Sequence, residues 1–292
     1  MTLNHNTASV NKKLKLGLVL NTAFTAFEFI VGFFSGSLAL ISDAGHNLAD
    51  SMSLVVTFFA AKFGDREADD RHSYGHERIT IIAALFNASI LVVLALYIFY
   101  SAVNRIFHPE PVAGGLVMAV AAFGIIINGS VALLFIRERD LHMRSAFLNM
   151  AFDTIASLGA LVAGAFIYFF KQTIADPIIS IGIGCMIIYS ARGIIKDSIN
   201  ILLEGVPEGI NLNAIGAAIK TVERIKEIDD LHIWSLSSHD IALSCHIVVE
   251  NCDLSQSVAT VKEVKKLLLE KFSISHATIE IELAGCESGA HK

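Results

Sequence analysis

Six apolar runs follow one another between residues 14 and 201, each long enough to cross a bilayer as a helix. A membrane-spanning helix needs about 20 consecutive apolar residues. The runs cover residues 14–35, 38–63, 79–103, 114–136, 146–170 and 174–201. This pattern predicts an α-helical polytopic membrane protein with six transmembrane helices. An even number of spans places both termini on the same side of the membrane.

The pattern changes after about residue 204. Apolar residues recur at helical spacing over residues 211–225 and 255–272. Apolar and polar residues alternate, as in β-strands, over residues 231–236, 241–249 and 277–283. This order predicts a C-terminal α+β domain of αββαβ type. We therefore expect an N-terminal segment (1–13), a transmembrane helical domain (14–203), an αββαβ domain (204–283) and a polar tail (284–292).

Composition supports a membrane protein and argues against other classes. Hydrophobic residues make up 54% of the chain and charged residues 17%, and the mean hydropathy is +0.60. The net charge of −6 and the lack of a dense basic cluster argue against nucleic-acid binding. Four cysteines without CxxC spacing indicate neither a disulfide framework nor a zinc ribbon.

The orientation follows from the basic residues near the ends of the spans. Lysines and arginines precede the first span and flank the second-to-third and fourth-to-fifth connections, whereas the other connections carry only Arg105 and Lys171. Both termini are therefore expected in the cytoplasm. Residues 1–11 lack the apolar core of a removable signal peptide, so we expect the first helix to act as the insertion signal, in a bacterial-type inner membrane.

Two spans carry matched polar pairs. His46 and Asp50 in the second span are four residues apart, with Asp43 one turn earlier, and Asn149 and Asp153 repeat the spacing in the fifth. An ionisable side chain at the bilayer centre costs roughly 2.5 to 3.5 kcal/mol, so several in one span need a role. If the second and fifth spans face each other, the two pairs would together hold a metal ion. The alternative is that each pair hydrogen-bonds a neighbouring helix.

Other polar residues are candidates for subsidiary roles. Glu28 lies within the first span, where a carboxylate must be neutral, paired or facing water, so it is a candidate proton-handling group. Asp69, His72 and His76 follow the second span and could bind zinc. The alternative for that loop is a solvated segment whose basic residues set the topology.

The C-terminal strands are expected to present further donors. His232, His246, Glu280 and Glu282 lie on the predicted strands. The alternative is that they are ordinary polar residues on a sheet.

Taken together, these motifs resemble those of the cation diffusion facilitator family. They are His46-xxx-Asp50, its counterpart at Asp153, the loop from Asp69 to His76, and Leu231-His-Ile-Trp-Ser-Leu236. The resemblance covers about residues 14–283 and is nearest the zinc, cobalt and cadmium exporters. It implies a homodimer with six spans per protomer and a metallochaperone-like cytoplasmic domain for dimerisation and regulation. This homodimer would exchange divalent metal ions for protons.

The resemblance also assigns residues to three metal sites. The transport site matches His46, Asp50, Asn149 and Asp153, and the loop site matches Asp69, His72 and His76. The cytoplasmic site matches His232, His246 and Glu282, with Cys286 as an additional thiolate. Zinc-transporting relatives usually have histidine at the position of Asn149. An amide oxygen is a harder ligand than imidazole and favours cobalt, manganese or iron more than imidazole does.

These observations predict an antiporter that exports zinc by alternating access. A passive cation channel and a membrane-bound metal sensor are the alternatives. An enzyme such as a metalloprotease is not expected, because the sequence has no HExxH motif that would place a general base between metal ligands. ATP-driven pumping is not expected either, because the sequence has no GxxxxGK[ST] phosphate-binding loop.

Overall fold

The computed structural model describes residues 22–64, 66, 68–135, 141–237, 240–249 and 253–283. These residues fall into two compact units. The first contains the described residues up to Val56 together with Phe86–Ile194, and the second contains Thr57–Leu85 and the described residues from Ile195 onward.

Six helices occupy the region of the predicted spans. They are α1 (Thr22–Ser35 in its described part), α2 (Leu38–Gly64), α3 (Arg78–Phe107), α4 (Gly114–Phe135), α5 (Leu141–Phe170) and α6 (Ala175–Leu202). Within the described part of the chain, four segments are long and apolar enough to cross a membrane: Arg78–Phe107, Gly114–Leu133, Met150–Phe170 and Ala175–Leu202. The prediction of an α-helical membrane domain is confirmed.

The predicted bounds agree with the structure for three helices and fall short for two. α2, α4 and α6 agree with the apolar runs to within a residue at each end. α3 continues to Phe107 and α5 begins at Leu141, both beyond the apolar stretch. Helical hydrogen bonding continues past the apolar residues there, so hydropathy alone underestimates the length of these helices.

The link between α1 and α2 is fixed by a network of buried polar groups. Gly36 adopts φ +70°, and a Cβ atom there would lie 2.6 Å from the carbonyl oxygen of Pro111, so only glycine fits. The buried carboxylate of Asp176, at the start of α6, accepts hydrogen bonds from the Leu38 N–H (2.7 Å), the Ala39 N–H (3.2 Å) and the Ser37 hydroxyl (2.5 Å). Asp176 thus caps the N-terminus of α2 from another helix.

Arg105 of α3 completes this network, which we call the Asp176 cap. Its guanidinium donates to the carbonyl oxygen of Gly36 (2.5 Å), lies 3.6 Å from Asp176 and pairs with Glu110 at 2.9 Å. The α1–α2 link, the end of α3 and the start of α6 are therefore held together.

Helices α4 and α5 pack closely through glycines. A Cβ atom at Gly164 would lie 2.9 Å from the Met118 nitrogen, and one at Gly114 would lie 2.7 Å from the Gly164 carbonyl oxygen. Small residues allow membrane helices to approach at this distance. This packing fixes the position of α5, which carries Asp153.

The C-terminal elements confirm the predicted αββαβ order. They are α7 (Leu212–Ile219), β1 (Ile225–Ser235), β2 (Ile241–Val249), α8 (Leu254–Phe272) and β3 (His276–Leu283). The sheet order is β1-β2-β3, with β1 and β2 antiparallel and β2 and β3 parallel. The parallel pair is possible because α8 provides the crossover connection between β2 and β3.

Two predicted bounds in this domain were wrong. The helix predicted for residues 211–225 ends at Ile219, and β1 begins at Ile225 rather than at residue 231. Charged residues in the first part of β1 obscure the alternation, yet Ile225 pairs with Val249 of β2. Pairing with the neighbouring strand therefore determines the extent of β1 more than its own pattern does.

The apolar faces of α7, α8 and the sheet form one core. Ile215 and Ile219 from α7 meet Leu243 and Ile247 from β2 and Leu268 from α8, all of them buried. Burying a side chain of this size stabilises a fold by about 1.5 to 3 kcal/mol. Polar residues on the other strand positions remain available for binding.

Candidate metal-binding sites

The first candidate site lies between α2, α5 and α6 in the first unit. His46 from α2 and Asp153 from α5 line the same cavity of about 460 Å³. Asp153 is only 4% exposed. The rest of the lining is mostly apolar and includes Phe152, Ile183 and Met186. The structure therefore brings together one residue from each of the two polar pairs, as a cation site inside a membrane requires.

For the other two predicted residues, the structure gives the position on the helix but not the side chain. Asp50 follows His46 by four positions on α2, and Asn149 precedes Asp153 by four positions on α5. Their side chains lie outside what the structure describes, so their part in the site stays a prediction. Imidazole and carboxylate at His46 and Asp153 are both ligands that zinc accepts.

Next to this cavity lies a second layer of polar groups. Asp43, fully buried on α2, accepts a hydrogen bond from the hydroxyl of Ser157 on α5 at 3.2 Å. Ser157 was not singled out in the sequence, although it lies four residues after Asp153, on the same helix face. The bond ties α2 to α5 beside the cavity.

The second candidate site is the loop after α2. The Asp69 carboxylate lies 3.1 Å from Nδ1 of His72 and 3.6 Å from Nε2 of His76. One ligand atom from each residue lies within 4.8 Å of the others, so the loop brings together all three predicted residues. Gly75, with φ +77°, makes the turn that returns His76 to Asp69.

The carboxylate of the loop site is held in its ionised form. The backbone N–H of Arg71 donates to Asp69 at 2.8 Å and that of His72 at 2.7 Å. The Arg71 hydrogen bond is the main reason that the pKa of Asp69 lies below its usual value. Two imidazoles and one ionised carboxylate leave one coordination position of a tetrahedral zinc ion for water.

The third candidate site lies on the sheet of the C-terminal domain. His246 of β2 is at its centre: Nδ1 lies 2.9 Å from Glu282, and Nε2 lies 3.5 Å from Glu280 and 3.8 Å from Asp230. His232 of β1 joins through Asp230, at 2.8 Å. His232, His246 and Glu282 are thus part of one cluster. Cys286 lies outside the described residues.

Asp230 was missed in the sequence. The register of β1 against β2 shifts between Asp229 and His232, and Asp230 within this bulge has φ +50°. Bulges redirect side chains, and here the bulge places a carboxylate between two histidines. The signal available in the sequence was the acidic pair Asp229-Asp230 immediately before the strand-like Leu231-Leu236 stretch.

Comparisons with known proteins identify the family. Residues 14–203 match the family model described as the cation efflux transmembrane domain. The chain belongs to the cation diffusion facilitator family. Its residues 207–284 match the model of the cytoplasmic domain of cation efflux proteins. The family resemblance inferred from the motifs is confirmed.

Several bacterial relatives in this family match along nearly the whole chain. The cadmium, cobalt and zinc/H(+)-K(+) antiporter of Bacillus subtilis is 37% identical over 96% of this chain and 91% of its own length. The metal cation efflux protein CzcD of Cupriavidus metallidurans is 34% identical over 94% of this chain and 88% of its own. The zinc transporter ZitB of Escherichia coli is 33% identical over the same shares, 94% and 88%.

Proposed function

We propose that this chain is a divalent metal cation/proton antiporter that exports zinc from the cytoplasm, with cobalt, cadmium, manganese and iron as further candidate ions. The observation that carries the proposal is the cavity lined by His46 and Asp153 in the first compact unit, which we call the membrane unit. The names of the relatives support it, since they include a cadmium, cobalt and zinc antiporter and zinc transporters.

The proposed site works by exchanging protons for metal. His46, Asp50, Asn149 and Asp153 replace the water shell of an ion that enters from the cytoplasm. Imidazole and carboxylate bind metal only after losing their protons, so metal binding releases protons. Movement of the helices then opens the site to the other side, where reprotonation expels the ion.

Asn149 is proposed to set ion selectivity. With imidazole at His46, carboxylates at Asp50 and Asp153 and an amide at Asn149, the site has three oxygen ligands and one nitrogen ligand. Hard oxygen ligands favour manganese and iron more than an imidazole at the same position would. Asn149→His is therefore expected to shift preference toward zinc.

The loop and sheet sites are proposed to be regulatory. Metal bound by Asp69, His72 and His76, or by the cluster around His246, would stabilise the cytoplasmic domain in the dimer. The match to the cytoplasmic-domain model supports a homodimer with domain bounds near residues 204 and 283. The basic residues near the spans support cytoplasmic termini, and the bacterial origin of the relatives supports a cell inner membrane.

Transport by the reconstituted full chain tests the proposal. Uptake of zinc, cobalt, cadmium, manganese and iron into proteoliposomes is measured with and without a pH gradient, for the native chain and for Asn149→His. Gradient-driven uptake supports the antiporter. Flux that ignores the pH gradient indicates a channel, and metal binding without flux indicates a sensor.

A further inference from the structure

A pair of buried acids lies in the membrane unit, apart from the proposed metal ligands. Glu28 on α1 and Asp43 on α2 are both fully buried, and their carboxyl groups contact each other. Ser157 donates to one oxygen of Asp43 at 3.2 Å. Among the described residues, no hydrogen-bond donor reaches either oxygen of Glu28 or the second oxygen of Asp43. We call Glu28 and Asp43 the acid pair.

In the part of the chain that the structure describes, no lysine or arginine acts on the acid pair. Besides Asp43, the charged group that acts on Glu28 is Asp153 of α5, another acid. On the α4 side the neighbours are uncharged: Phe24 packs against Phe123 at 6.0 Å between ring centres, Gly124 lies against Phe24, and Asn128, one turn after Gly124, is fully buried. Neither the described part of α1 nor residues 38–56 of α2 contain lysine or arginine.

Two carboxyl groups in contact in such surroundings cannot both be ionised. Removing one carboxylate from water is already costly, and a second like charge beside it adds repulsion. A hydrogen bond between two carboxyl groups needs one proton, which the two groups then share. The geometry therefore describes a site for a proton.

We propose that Glu28 and Asp43 form a proton-binding site that carries a proton exchanged for the metal ion. This inference rests on the proposed antiport function. It assigns one coupling proton to a pair of residues that do not bind the metal, on α1 and α2.

Coupling to the metal follows from charge. His46 lies one helical turn from Asp43 on α2, and Asp153 already acts on Glu28. A divalent cation between His46 and Asp153 favours the ionised acid pair, and the proton then leaves to water on the side from which the metal entered. Reprotonation of the pair reduces the negative charge around the cavity and weakens metal binding. The coupling is reciprocal, because each ligand lowers the affinity for the other.

The test removes the proton site and keeps its shape. Glu28→Gln is made in the full chain, and protons released per zinc bound are measured with a pH indicator in weakly buffered detergent solution. Zinc uptake into proteoliposomes is measured twice, once driven by a pH gradient and once as zinc–zinc exchange without a gradient. We expect about one proton fewer, and gradient-driven uptake reduced about tenfold or more, with exchange within about threefold of the native rate.

Two further variants make the test decisive. Ser157→Ala removes a hydrogen bond to Asp43 but no proton site, so proton release should equal that of the native chain. Asp43→Asn should behave like Glu28→Gln, and it decides the question if Glu28→Gln does not elute as a folded protein.

Native proton release and native gradient-driven uptake in both Glu28→Gln and Asp43→Asn would overturn the inference. Loss of exchange together with gradient-driven uptake in a folded variant would also overturn it, because the pair would then be needed for all transport. Failure of the native chain to respond to a pH gradient would instead reject the antiport function itself.

Discussion

Removing the carboxylate of the Asp176 cap should destabilise the membrane unit more than any other single truncation of a hydrogen-bonding side chain near the start of α6. Asp176→Ala deletes an acceptor that binds the Leu38 N–H, the Ala39 N–H and the Ser37 hydroxyl, and it removes one of the two carboxylates near Arg105. The Asp176 residue is fully buried, so water cannot replace it without a rearrangement.

The magnitude follows from these contacts. A buried donor left without its acceptor costs about 1 to 3 kcal/mol, and Asp176→Ala leaves three such donors, two backbone N–H groups and one hydroxyl. Arg105 keeps Glu110 as a partner at 2.9 Å, so loss of the ion pair adds little. For a domain of this size, about 1 kcal/mol corresponds to a shift in Tm of about 2 to 4 °C. We therefore expect Asp176→Ala to lower the Tm of the purified chain in detergent by roughly 10 °C.

A matched control lies one turn along the same helix. The buried hydroxyl of Ser180 donates to the Asp176 carbonyl at 2.7 Å, and Ser180→Ala should cost only about 0.5 to 1.5 kcal/mol. Asp176→Asn keeps an acceptor oxygen but loses the charge, so its Tm should fall between the two. Equal melting temperatures for Asp176→Ala and Ser180→Ala would refute the reasoning.

Three further predictions concern packing, pH and thiol chemistry. Gly164→Ala should destabilise the chain by about 1 to 3 kcal/mol in thermal melts, because its Cβ atom would meet backbone, whereas Gly182→Ala, with nothing within 4 Å, should have little effect. The pKa of Asp69 is lowered chiefly by the hydrogen bond from the Arg71 N–H. The stabilisation of the loop by ionised Asp69 is therefore fully present at pH values above the usual carboxyl pKa, and it is lost as the pH falls through the lowered pKa. Hydrogen-exchange protection of the Arg71 amide, corrected for intrinsic rates, should stay constant between about pH 7 and pH 5, and a decline in that range contradicts the prediction. Burial raises the pKa of the Cys245 thiol to about 11, so in a chain with Cys245 as its single cysteine, alkylation near neutral pH should require denaturant.

The sequence predicted the helices and the strands well because their patterns are strong. The bounds of β2, α8 and β3 agree with the apolar periodicity to within a residue, since each element packs one face against the core more closely than the other. The start of β1 was missed because its charged residues are held in the sheet by pairing with β2. Such pairing between strands depends on the tertiary structure and leaves no local signal.

The sites were predictable only in part, for a similar reason. The i, i+4 spacing identified His46 and Asp153, which the structure places at one cavity. The contact between Glu28 and Asp43 joins two helices, and neither residue indicates the other in the sequence. Asp230 reaches His232 and His246 through a bulge, which depends on the register of β1 against β2.

The most direct test of the proposed transport site is zinc uptake into proteoliposomes driven by a pH gradient, compared for the native chain, Asp153→Asn and Cys185→Ala. Cys185 lines the same cavity as His46 and Asp153 but is not among the proposed ligands. The account predicts gradient-driven uptake by the native chain and by Cys185→Ala, and none by Asp153→Asn. Uptake by Asp153→Asn at the native rate would contradict it.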